Sequence, residues 1–272
     1  VNAGKLNVKT EKYLEKADKN EQNIFIVKFK DGIDNSKLGK FKTEKEYNRF
    51  NAVKVTGKVK DIEALLNDNS VSYIELDQKT SVLDYYNNYS DVVQQNIVKT
   101  NALNAWNFTK GNGVKIGILD TGVSSHSDLN IAGGVSVIGS NFTDNNGHGT
   151  AVAGIVSSVL NDYGNAGVAP SASVYAVKIM NNSVGSLSDA ISGVEWAIDN
   201  NMSIVLMSFG METYSQIFKE VLDDAYNRNM LLIAASGNNG QDNILYPARY
   251  SSVVAVGAVD SSGNLASFSS YG

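Results

Sequence analysis

Val114-Lys115-Ile116-Gly117-Ile118-Leu119 runs directly into Asp120-Thr121-Gly122. A short, mostly apolar run closed by turn-forming residues is the pattern of a strand covered on both faces, as in a parallel sheet. Similar runs alternate with helical patterns downstream. Gly147 to Leu160 carries Val152, Ile155, Val156 and Val159 at helical spacing, and Ser173 to Ile179 reads as a strand. Ser188 to Asn200 reads as a helix, and strand-like runs follow at 203–207, 230–235 and 252–258, with a helix at about 214–228. This order predicts an α/β fold with a doubly wound, mostly parallel sheet over residues 98–272.

The residues before it differ. Residues 1–21 are rich in Lys, Glu and Asn with little periodicity and read as a flexible leader. Residues 22–83 give strands at 23–30, 52–55 and 71–76, a helix at 60–66 and a weaker helical pattern at 43–51. That is a small α+β unit. Residues 84–97 are polar, lack a pattern and read as a linker.

Charge separates the two parts. Residues 1–87 hold 16 Lys and Arg against 14 Asp and Glu, and residues 88–272 hold 7 against 14. An acidic larger part argues against a nucleic-acid partner. No apolar run is long enough to span a membrane. With no Cys, disulfides, a cysteine nucleophile and thiolate metal sites are excluded.

In open parallel sheets, active sites gather beyond the C-terminal strand ends. Asp120 follows one such strand. Asn146-Gly147-His148-Gly149-Thr150 opens the next helix, and Ser236-Gly237-Asn238-Asn239-Gly240 follows another strand. Singly, each suits a turn. Together, an acid, an imidazole and an amide donor on neighbouring tips make a hydrolase set.

Ile118-Leu119-Asp120-Thr121-Gly122-Val123 resembles the aspartate motif of subtilisin-like serine proteases (subtilases), and Asn146 to Gly154 resembles their histidine motif. Gly167 to Ala172 and Ala234 to Asn238 resemble two further segments of that family. The resemblance implies catalytic roles for Asp120, His148 and Asn238. It also implies that residues 22–83, best matched at Ser70 to Asp77, are a ferredoxin-like prodomain that acts as an intramolecular inhibitor. Cleavage is then expected after Leu83, before Asp84. A polypeptide substrate would pair with Gly185-Ser186-Leu187 and Ser208-Phe209-Gly210, beside a pocket wall of Ala235, Ser236 and Gly237, with Leu245 making the pocket floor shallow. Structural calcium is implied at Asp128 and Asn161, with the carbonyls of Val159, Tyr163 and Asn165. Secretion is implied too.

The family's nucleophile lies in a Gly-Thr-Ser motif, and that motif does not occur in this sequence. The expectation is a protease precursor whose nucleophile follows Gly272. Two alternatives stay open: a non-catalytic peptide-binding pseudoprotease, and a free inhibitor module formed by residues 23–83.

Overall fold

A computed structural model describes residues 4–82, 92–161 and 164–272. They form two compact units: the described residues up to Gln78 together with Thr213–Val221, and Lys79–Glu212 with Leu222–Gly272.

The first unit is a four-stranded antiparallel sheet of β1 (Gln22–Phe29), β2 (Lys42–Tyr47), β3 (Ala52–Lys58) and β4 (Val71–Leu76), in the order β2-β3-β1-β4. This is the ferredoxin-like strand order, with the first crossover reduced to a 3-10 turn at Asn35–Lys37. One face of the sheet, carrying Phe25, Val27, Phe29, Val53 and Val55, packs on Val59, Ile62, Leu65 and Leu66 of helix α2 (Val59–Leu66).

Two expectations fail here. Residues 43–51 do not form a helix: Lys42–Tyr47 is the edge strand β2, exposed except at Tyr47, and its charges suit an edge that must not pair further. The leader also contains structure. Helix α1 (Val8–Lys16) is capped by Asn7, whose Oδ1 accepts from Thr10 N at 2.9 Å. Leu14 enters the core, and the buried Thr10 Oγ1 accepts from Leu76 N at 3.0 Å. One buried face is enough to hold a short polar helix.

Within the same unit, the β4 residue Glu75 is 1% exposed and accepts from Ser215 Oγ at 2.6 Å and Gln216 N at 2.7 Å. Burial pushes its carboxyl up to about 7, although those donors favour the charged form.

The second unit is built on six parallel strands: β6 (Lys115–Asp120), β7 (Ile131–Ser136), β8 (Ser173–Lys178), β11 (Ile204–Met207), β13 (Leu231–Ala235) and β14 (Val254–Val256). Their order is β14-β13-β11-β6-β8-β7, which puts β6 inside the sheet. The helices are α3 (Val92–Lys99), α4 (Ala102–Ala105), α5 (His148–Ser157), α6 (Leu187–Asp199) and α7 (Gln216–Asn227), the last divided between the units. Ile116, Ile118, Val174 and Ala176 of the sheet share a core with Ala153 of α5. A second, small sheet has the order β12-β5-β10-β9, formed by β5 (Lys79–Val82), β9 (Met180–Asn181), β10 (Val184–Ser186) and β12 (Phe209–Gly210). The linker reading is too long at its far end, because α3 starts at Val92 and seats Ile97 in the interior.

Candidate active site

Asp120 is the last residue of β6, and His148 is the first of α5. The ends of β6, β8, β11 and β13 lie along one edge of the sheet, with Asp120 opposite Lys178, Leu119 opposite Met207, and Met207 opposite Ala234. His148 Nδ1 lies 2.7 Å from Asp120 Oδ1 and 2.9 Å from Oδ2. Asp120 is 1% exposed and the His148 side chain 10%. An ionised carboxylate can only accept, so Nδ1 carries the proton and Nε2 is left as the basic nitrogen. The close approach depends on Gly149, where a Cβ would stand 2.1 Å from Gly122 O and 3.1 Å from Asp120.

The pair is braced by residues that the sequence reading overlooked. Asp144 Oδ1 accepts from Asn146 N at 2.9 Å, Gly147 N at 3.0 Å and Thr121 Oγ1 at 2.8 Å. Its Oδ2 accepts from Thr150 N at 3.0 Å and Thr150 Oγ1 at 2.6 Å. Asp144 thereby caps α5 and ties its first turn to the residue after Asp120. Burial pushes the Asp144 carboxyl up, but the donors led by Thr150 outweigh it and bring the group to about 2. Its signal was legible: an Asp in a polar loop just before a helix is a capping pattern.

Asn238 lies in the turn after β13, at the same sheet edge. Beside it, Ser236 Oγ donates to Ser270 O at 2.8 Å, and Gly237 O accepts from Ser270 N at 2.9 Å. A Cβ on Gly237 would lie 3.0 Å from Leu245 Cγ, so the Leu245 side chain closes on this wall.

Residues 111–272, more than half of the chain, match the Subtilase family. The chain belongs to the subtilase family. A thermostable alkaline protease of Halalkalibacterium halodurans is 44% identical over 217 residues, covering 78% of this chain and 58% of that protein. Subtilisin E of Bacillus subtilis is 40% identical over 242 residues, covering 85% of this chain and 62% of that protein. The minor extracellular protease Epr of the same organism is 39% identical over 243 residues, covering 84% and 38%. The chain spans little more than half the length of the first two relatives, and less of the third.

In this subtilase, the strand edges expected to hold a peptide already hold one. β5 is hydrogen-bonded on both sides, antiparallel to each neighbour: Lys79, Thr80 and Ser81 pair with Ser186, Gly185 and Val184, and Ser81 and Val82 pair with Gly210 and Phe209. Two of the named residues fall outside this ladder. Leu187 is buried as the first residue of α6, and Ser208 lies between β11 and β12. Thr80 is 1% exposed, its hydroxyl without a partner among the described residues. Leu83, Asp84 and Tyr163 lie outside the described residues.

At the expected calcium loop, Asp128 is 3% exposed. Its Oδ2 accepts from Asn165 N at 2.9 Å, its backbone oxygen accepts from Val159 N at 3.0 Å, and Oδ1 has no partner among the described residues. Asn161 sits exposed in the same loop. A buried carboxylate oxygen without a donor fits a hard cation. Beside it, His126 Nδ1 accepts from Asp128 N at 3.1 Å.

Among the described residues, no helix is long and apolar enough to cross a membrane.

Proposed function

We propose that this protein is the precursor of a secreted serine endopeptidase, in which residues 22–83 are an inhibitory prodomain. The observation that carries the reading is the two-oxygen grip of buried Asp120 on His148. Asp120 fixes the imidazole tautomer and stabilises the imidazolium. His148 Nε2 takes the proton of a serine hydroxyl as that oxygen attacks the scissile carbonyl, then gives it to the leaving amine. Water hydrolyses the resulting acyl-enzyme by the same route. The Asn238 side-chain amide donates to the oxyanion.

The pairing of β5 supports the inhibitory role, because a substrate added as a strand between β10 and β12 would take the same place. Val82 leads in sequence to Leu83, so cleavage falls between Leu83 and Asp84. Leu245 favours medium-sized apolar side chains before the cut. Calcium bound by Asp128, Asn161 and the carbonyls of Val159, Tyr163 and Asn165 would rigidify the loop after α5; it supplies structure and takes no part in the chemistry.

The test is to express the full gene and follow precursor processing by mass spectrometry. A cut after Leu83, abolished in His148→Ala, is expected. An intact precursor that hydrolyses no peptide would overturn the reading. The same β5 pairing suits a second reading, a non-catalytic peptide binder, because binding an extended chain needs no nucleophile. That outcome would be peptide capture without hydrolysis.

A further inference from the structure

We propose that Lys178 is a positioning residue for the Asp120–His148 pair, its ammonium fixing the backbone around the pair and supplying the positive charge against which His148 gains and loses its proton.

Lys178 ends β8, in register with Asp120 on β6 and Ser136 on β7. It is 7% exposed, and lysine is rarely so buried without partners. Its three donors are all spent: on the carbonyl of Thr121, on the carbonyl of Thr143 at 3.1 Å, and on Asn145 Oδ1 at 3.0 Å. Thr121 follows Asp120, and Thr143 precedes Asp144. One ammonium therefore joins the turn that presents the aspartate to the loop that caps the histidine's helix.

The choice of acceptors matters. All three are neutral, so no carboxylate is consumed in pairing with Lys178. Asp120 remains committed to His148, and Asp144 to the first turn of α5. Burial lowers the Lys178 ammonium, while the charges of Asp144 and Asp120 hold it up, which places both acids within electrostatic reach. Asp120, in contact with His148, therefore lies within the reach of that ammonium. Without the ammonium the surroundings become more negative, the imidazolium is favoured, and a higher pH is needed to free the base.

The inference rests on the protease reading, and the test separates the two in the full-length protein. His148 is one of only two histidines, so its ring can be followed by NMR against His126. In Lys178→Met its titration midpoint should rise by about half a pH unit, with the acid limb of kcat/KM rising alongside. Displacement of the pair should lower kcat on the order of tenfold, with KM changing less. Lys178→Arg keeps the charge and should leave the midpoint unmoved. A midpoint unchanged in Lys178→Met, or moved as far in Lys178→Arg, overturns the proposal, whatever happens to thermal stability. If Lys178→Met does not fold, Asn145→Ala removes one exposed tether; kcat should fall by about threefold at constant KM and melting temperature, and an unchanged kcat overturns the proposal. An unmodified protein that hydrolyses nothing would sink the protease reading alone, since the imidazole titration needs no turnover.

Discussion

Gly149 packs so tightly on the carbonyl oxygen of Gly122 that a Cβ at position 149 would stand 2.1 Å from it. That oxygen is backbone and cannot swing aside. Gly149→Ala must therefore push α5 away from β6 and lengthen the Asp120–His148 contact. The expected result is a loss of at least about tenfold in kcat for the full-length protein, with substrate affinity less affected. A steady-state comparison that finds kcat unchanged would contradict this account of the site.

Gly185 plays the comparable part where β5 is seated. A Cβ there would lie 2.7 Å from Ile179 O and 2.8 Å from both Met180 Cγ and Thr80 Oγ1. Gly185→Val should loosen the pairing of β5 with β10 and slow precursor cleavage by about tenfold or more. A pulse-chase gel resolves this, and processing at the normal rate would show that β5 is not the segment presented for cutting.

Glu75 makes the first unit sensitive to pH. Its folded pKa of about 7 lies above the ordinary 4.5, so the folded state prefers the protonated acid. This contribution is fully present below about pH 4.5 and is lost as pH rises through 7. The amount at stake is on the order of 3 kcal/mol. Hydrogen-exchange protection factors for β1 and β4 amides should fall between pH 5 and 8, and Glu75→Gln should flatten that dependence. Protection that rises over this range would reverse the sign assigned to Glu75.

The orphan oxygen of Asp128 predicts stabilisation by calcium. A ligand that binds only the folded state at a hundred times its dissociation constant adds about 2.7 kcal/mol. Excess calcium should raise the melting temperature over that in chelator, and Asp128→Asn should remove most of the difference. Equal melting temperatures for the unmodified protein in both buffers would discard the site.

The sheet and the segments that bring Asp120 against His148 were legible because both are written in local patterns. Val114 to Leu119 is apolar enough to be a covered strand whatever surrounds it, and Asp120 and His148 sit in short segments rich in glycine. What escaped the reading depends on partners distant in sequence. β7 (Ile131-Ala132-Gly133-Gly134-Val135-Ser136) has little strand propensity and exists because β8 pairs with it. β2 is a strand only through β3, and α1 a helix with a single buried face. Lys178 gave no local hint either. It reads as the charged end of a strand, and only the fold brings Thr121, Thr143 and Asn145 around its ammonium.

The seat filled by β5 is a slot with a hydrogen-bonding rail on each side, at Val184–Ser186 and at Phe209–Gly210. Any occupant must offer both of its main-chain edges at once. A helix has already spent its amides internally, and a strand inside another sheet has committed one or both edges. On the proposed reading, such an enzyme discriminates first by conformational state and only then by side chain. Frayed termini, long surface loops and unravelled proteins would be digested, while compact neighbours survive until they open.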